Sequence, residues 1–371
     1  MSDITMLDYI RETPEVILNN IDHADEITSQ LVDFYLDNGY DGITVVASGS
    51  SCNGTLCAEE LMRKYFSSVR IVNPYTFIHH RDELGKTMPL FISQSGCSTN
   101  TLDALKHAKK NGAKTVALVG RDDCDAKKLA DLTVNYRCGE EKVGFVTKGV
   151  TSLAAYLMLF SLRVALNRGK LKYQQYQDAL EEMRKAMKLH VEATDRTIEF
   201  FNDHRDAITG CNKVWYVGSG PALGVATEAA LKTSETSCIP AIADETEEFL
   251  HGPIYPCDPE SLVVFIDNND HSSSRRVIDS AEAVRTITDR VILVSNDAKS
   301  ADAITLRLSG QTDYLYGPLY KLAVIQTLSY LRTEATNNFH PHENLLKFRD
   351  ENKVKTKSRN DLYLDLQSEK K

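Results

Sequence analysis

The chain has 371 residues, 42% of them hydrophobic and 26% charged, which is ordinary for a globular fold and leaves room for one large core or two domains. A formal net charge of -9 argues against a nucleic-acid surface, which needs a basic stripe, but allows a local pocket for an anion. No apolar run approaches the roughly 18 residues that cross a bilayer, Met1 to Thr5 lack the regions of a signal peptide, and eight scattered cysteines without a Cys-x-x-Cys pair fit a reduced cytoplasmic protein that has no membrane partner.

Residues 1–40 read as a helical segment. Thr13-Pro14-Glu15 predicts a helix start, with a hydroxyl cap, proline in the first turn and an acid behind it. Residues 41–170 then alternate strands with helices. Ile43 to Ala47 is a β-branched strand running into Ser48-Gly49-Ser50-Ser51-Cys52-Asn53, and further strands are predicted at Val69–Val72, Leu90–Ile92, Val116–Val119 and Leu132–Val134. Such alternation implies a mainly parallel sheet covered on both faces, with ligands held at the carboxyl ends of its strands. Residues 171–205 form a helical connector. In residues 206–340 the pattern returns: Val214–Val217 runs into Gly218-Ser219-Gly220-Pro221, and Leu262–Ile266 runs into Asp267-Asn268-Asn269. These echoes of the first half lie about 170–175 residues apart, so the expected fold is α/β, a tandem duplication of one doubly wound domain. Residues 341–371 form a polar tail.

Chemistry concentrates in three places. Ser93-Gln94-Ser95-Gly96-Cys97-Ser98-Thr99-Asn100-Thr101 follows a strand and opens a helix, and a helix N-terminus lined with hydroxyls is suited to phosphate. The loop at 48–53 is equally rich in hydroxyls, so both could converge on one anion, whereas Asp267, Asn268 and Asn269 replace that chemistry in the second copy. Glu228, Lys232 and Glu235 share one helix face at i, i+4 and i+7, a pattern that more often marks a solvated, salt-bridged face. Beyond them, Glu248-Phe249-Leu250-His251-Gly252-Pro253 fixes a histidine where a helix stops, next to acids. Carboxylates with one positioned imidazole are equipment for proton transfer near neutral pH.

The serine loop, Glu228-Ala229-Ala230-Leu231-Lys232-x-x-Glu235 and Glu248-Phe249-Leu250-His251-Gly252-Pro253 together resemble the double sugar-isomerase (SIS) domain proteins over residues 10 to 350. In pattern they are similar to the isomerase half of glucosamine-6-phosphate synthase and to the fructosamine-6-phosphate and glucoselysine-6-phosphate deglycases. The resemblance implies a flavodoxin-like SIS fold and an enzyme acting on a 6-phosphorylated amino sugar or ketosamine by enediol or enamine proton transfer. It implies that Ser50, Ser51, Ser93, Gln94, Ser95 and Ser98 hold the phosphate, that Glu235 is the carbon base and that His251 is the ring-opening acid. It further implies a homodimer with composite active sites, in which the histidine comes from the neighbouring subunit. Lys232 joins the catalytic set, with Glu228 and Glu248 beside it, and Lys347 falls in a segment, Asn344-Leu345-Leu346-Lys347, similar to one whose lysine enters the active site. No cofactor and no metal are expected; His79-His80 and His340/His342 lack ligand spacing. Ser2 after Met1, and the want of a preceding domain, leave no expectation of glutaminase activity. Two further readings stand beside this one: a glucosamine-6-phosphate deaminase or isomerase, and a non-catalytic sugar-phosphate sensor.

Overall fold

The computed structural model describes residues 4–80, 84–270, 272–296 and 304–337, with residues 344, 347, 348 and 351 beyond them. Two helices lead, α1 (Met6–Asp22) and α2 (Ala24–Asp37). α1 begins at Thr5, not at Thr13. The Thr5 hydroxyl accepts from Asp8 N (3.3 Å) while the Asp8 carboxylate accepts from Thr5 N (2.7 Å), a capping box. Thr13 and Pro14 lie inside the helix, where proline leaves the carbonyl of Ile10 without its usual donor. The buried His190 packs against that carbonyl, Nε2 lying 3.1 Å from Ile10 O.

The first repeat comprises β1 (Gly42–Val46), α3 (Ser50–Tyr65), β2 (Val69–Val72), α4 (Pro74–His80), β3 (Thr87–Ser93), α5 (Thr99–Lys110), β4 (Val116–Val119) and β5 (Leu132–Asn135). α6 (Lys148–Asn167), α7 (Tyr173–Asp203) and α8 (Arg205–Thr209) connect it to the second repeat. That repeat comprises β6 (Lys213–Val217), α9 (Pro221–Ser237), β7 (Ala241–Asp244), α10 (Thr246–Leu250), β8 (Ser261–Ile266), α11 (Ser274–Val284), β9 (Val291–Ser295) and β10 (Ile304–Arg307), and α12 (Pro318–Thr336) follows it.

Each repeat forms a five-stranded parallel sheet, in the orders β2-β1-β3-β4-β5 and β10-β9-β8-β6-β7. Read from the other edge, the second order repeats the first, so the duplication is real at the level of topology. The central pairings match as well: Gly42–Val46 lies against Thr87–Phe91 as Lys213–Val217 lies against Ser261–Phe265. Strand order reverses between β1 and β3 and again between β6 and β8, giving two switch points where loops part and a ligand can enter. β7 and β10 escape the sequence reading because they are short, half-exposed edge strands without a continuous apolar run.

Between the sheets lies a shared helical core. α3 packs on α6 and α9, and α12 packs on α7 and α9. α6 is 20 residues long and apolar enough, by length and composition, to cross a membrane, which the sequence reading did not anticipate. Here 89% of its most apolar window is buried inside the fold, so it serves as the central core helix.

Candidate functional site

The first switch point gathers the hydroxyl-rich loops. Gly49 caps α3 with a φ of 58°, a left-handed conformation that a side chain would strain, and Gly220 caps α9 in the same way at 54°. This turn sets Ser50 and Ser51 in the first turn of α3, where backbone N–H groups lack helical partners. Across the sheet, Ser93 ends β3 and Ser98 caps α5, with Ser93 Oγ donating to Ser98 Oγ at 3.1 Å. Asn100 Nδ2 donates to Ser48 Oγ (3.1 Å) and joins the two loops. Ser95 Oγ accepts from Cys97 N (3.3 Å) and shapes the turn between them.

Gln94 points elsewhere. Its amide nitrogen donates to Glu141, whose carboxylate also accepts from Thr147 N (2.9 Å), Lys148 N (2.7 Å) and Gly149 N (3.3 Å) at the start of α6. Burial pushes the Glu141 carboxyl up, and the donors around it pull it back. Gln94 thus ties the serine loop to α6, and its side chain is not aimed at an anion beside Ser95 and Ser98. Nothing in the sequence pointed to Glu141, because the carboxylate and Gln94 lie 47 residues apart.

On the face carrying Glu228, Lys232 and Glu235 the first two are buried, and Glu235 reaches solvent. Glu228 is 0% exposed and crosses to the other repeat, where Ser50 Oγ donates to Oε1 (3.0 Å) and Asn53 Nδ2 to Oε2 (2.9 Å). Lys232 Nζ stands 3.5 Å from Glu228 and 2.6 Å from Glu235, whose side chain is 36% exposed. Burial raises the Glu228 carboxyl and would strip the Lys232 ammonium, but two neighbouring carboxylates outweigh that cost and hold Lys232 above the usual lysine range. A Cβ on Gly49 would meet Leu231 Cδ2 at 3.9 Å, so α9 passes the α3 loop one turn before Glu235. The result is a polar chain from Ser50 and Asn53 through Glu228 and Lys232 to an accessible carboxylate.

The remaining candidates stand apart. His251 is exposed at the C-terminal end of α10, and Glu248 is exposed one turn before it. Among the described residues no hydrogen bond or ion pair joins His251 to Glu235. Lys347 is exposed, with Nζ 3.9 Å from Glu351, and His340 and His342 lie outside the described residues. His79 and His80 lie tilted against the exposed Tyr75. Among the described residues no group of three or more His, Cys, Asp or Glu side chains is placed to hold a metal.

The second switch point is chemically different. A cavity of about 600 Å³ opens there, lined by Glu60, Ser219, Asn268, Asp270, Asp313 and Tyr314 among others, with no basic side chain among the described lining residues. The Asp270 carboxylate accepts from Ser272 N (2.8 Å) and Ser273 N (2.9 Å) ahead of α11. A carboxylate already occupies the place that an anion would take, so this cavity is a poor phosphate site. The sequence reading stopped at Asn269 and missed this substitution.

The sequence model of the SIS domain matches residues 71–162 and 207–304. A glutamine–fructose-6-phosphate aminotransferase (isomerizing) from Thermococcus kodakarensis is 29% identical over 334 residues, covering 88% of this chain and 54% of its own length. The chain therefore spans about half of such relatives. Among solved structures, the C-terminal domain of glucosamine-fructose-6-phosphate aminotransferase from Francisella tularensis superposes with a TM-score of 0.81 at 22% identity, covering 90% of this chain and 97% of that one. A Clostridium difficile 630 protein provisionally described as a phosphosugar isomerase gives 0.84 at 22% identity, covering 95% and 99%. At these identities the likeness is one of fold.

Proposed function

Because the chain belongs to the SIS-domain family, we propose that it is a phosphosugar isomerase or deglycase acting on a 6-phosphorylated amino sugar or ketosamine. The observation that carries this reading is the convergence, at one switch point, of two helix N-termini rich in hydroxyls with a carboxylate delivered by the other repeat. A phosphate held by Ser50, Ser51, Ser95 and Ser98 supplies binding energy away from the reacting carbons and presents C1 and C2 to Glu235. Glu235 then moves a proton between those carbons, through an enediol from a ketose or an enamine from a ketosamine. Lys232, 1% exposed, is too enclosed to touch substrate and serves to hold Glu235 in place. His251, exposed and distant from Glu235 in bonding terms, suits the role of ring-opening acid for a neighbouring subunit, which makes the working unit a homodimer.

The test is a panel of phosphorylated fructosamines, glucoselysine-type adducts and glucosamine 6-phosphate, scored for released amine and isomerised sugar phosphate. With an accepted compound, Glu235→Gln should abolish exchange of the C1 or C2 proton with deuterated water and lower kcat by at least about 10²-fold while binding survives. Exchange at the parental rate in this variant would remove Glu235 as the base.

A further inference from the structure

Glu235 is not simply a free carboxylate near a phosphate loop. One ammonium, Lys232, stands between two carboxylates and leans toward Glu235, at 2.6 Å against 3.5 Å for Glu228. The asymmetry has a visible source. Glu228 already receives Ser50 Oγ and Asn53 Nδ2, one on each oxygen, whereas Glu235 has no other hydrogen bond among the described residues. A buried carboxylate supplied with charge-assisted hydrogen bonds has less need of a close cation. Ser50, however, is the first residue of α3, and its hydroxyl has a single proton to donate.

Resting on the reading above, we propose that phosphate arriving at the N-terminus of α3 takes the Ser50 hydrogen bond from Glu228, that Glu228 then draws Lys232 toward itself and away from Glu235, and that Asn53 is the positioning residue which sets this balance. Glu235 is thereby released to accept a proton only while a phosphorylated ligand is bound. The coupling crosses the two repeats, because Ser50 and Asn53 belong to α3 and the three charged groups to α9. Other groups around α9 do not compete for the ammonium. Cys57 on α3 is buried, and burial together with Glu228 holds its thiol protonated. α12 turns hydroxyls to α9, Ser329 toward Thr233 and Thr333 toward Ser237, and its buried Arg332 donates to Ile208 O and Cys211 O. Tyr216 on β6 meets Thr233, and Asp244 ends β7.

The experiment is lysine-ammonium NMR on the full chain, titrated with inorganic phosphate. Lys232 is enclosed enough for slow proton exchange, and its signal is identified by its loss in Lys232→Arg. In the parent, the Ser50 and Ser51 amides and the Lys232 Nζ signal should shift together. In Ser50→Ala the ammonium should start at the position that phosphate induces in the parent and move no further, whereas Asn53→Ala, which keeps the Ser50 donor, should start displaced toward Glu228 and still move with phosphate. Shifted amides with an unmoved ammonium in the parent would overturn the coupling. So would a parental ammonium response in Ser50→Ala, a parental starting position in Asn53→Ala, or no amide response at any phosphate concentration. If Glu235→Gln abolishes proton exchange while the ammonium ignores phosphate, the proposed function survives and this inference alone fails.

Discussion

Replacing Lys232 with methionine separates what the lysine does for the fold from what it does for chemistry. The substitution keeps the stem and removes the charge, leaving Glu228 at 0% exposure with only its bonds from Ser50 and Asn53. Two ion pairs disappear. The one to Glu235 involves a partner that is 36% exposed, so solvent replaces it and its loss costs at most about 1 kcal/mol. The one to Glu228 is enclosed on both sides, and an uncompensated buried charge costs about 3–5 kcal/mol. The expected loss is therefore about 3–5 kcal/mol at neutral pH, read from urea unfolding followed by two probes. Its pH dependence has a definite sign. Burial already raises the folded Glu228 carboxyl above its unfolded value, and losing Lys232 raises it further. The folded state then binds more protons than the unfolded one across the interval above the ordinary glutamate range, so stability rises as pH falls through it. Lys232→Met should recover on acidification, and the double variant with Glu228→Gln should recover at neutral pH. A loss below about 1 kcal/mol that ignores pH would refute the argument.

Replacing Ser95 and Ser98 together with alanine should raise KM for a phosphorylated substrate with little effect on kcat, each lost charge-assisted bond costing about 1.5–3 kcal/mol, and an unchanged KM would reject that loop as the anchor. Mixing Glu235→Gln and His251→Ala proteins under subunit exchange should restore part of the activity; exchange without recovery would place both groups in one chain. His190 is wholly buried, and burial lowers its proton affinity despite carbonyls at both nitrogens, Ile10 O at 3.1 Å and Leu319 O at 2.9 Å. A depressed folded value means that its contribution is present above the ordinary histidine range and lost as pH falls through it, so the parent should weaken on acidification more than His190→Gln. The opposite order would mean that the ring is a cation donating to both carbonyls.

Much of this architecture was legible because parallel sheets advertise themselves: fully buried strands such as Thr87–Ser93 and Ser261–Ile266 leave unbroken apolar runs ending in polar loops. Much of what failed depended on a distant partner. Thr13-Pro14 has good local capping chemistry, yet the helix runs through it, with His190, far along the chain, set against the carbonyl that proline abandons. Spacing showed that Glu228, Lys232 and Glu235 share a face but not that α3 would cover it, and hence not that Asn53 belonged to the site. Gln94 sits in the right motif, and only the fold reveals Glu141 as its partner.

A Cβ on Gly224 would stand 2.5 Å from Cys57 N and 2.9 Å from Cys57 Cα, so α9 and α3 meet backbone to backbone. Across this seam each half lends the other a glutamate. Glu228 reaches Ser50 and Asn53, while Glu60, held by Tyr314 Oη at 2.7 Å, lies beside Gly220 with Oε2 2.9 Å from where a Cβ would stand. Duplication is usually credited with freeing one copy to drift. Here the loops differ, serines in one repeat and Asp270 with its neighbours in the other, while the two crossing helices are bound to one another. A replacement in α3 is felt at both switch points, so the tolerated changes in α3 and α9 should be contingent on one another, and neither repeat can be transplanted without its twin.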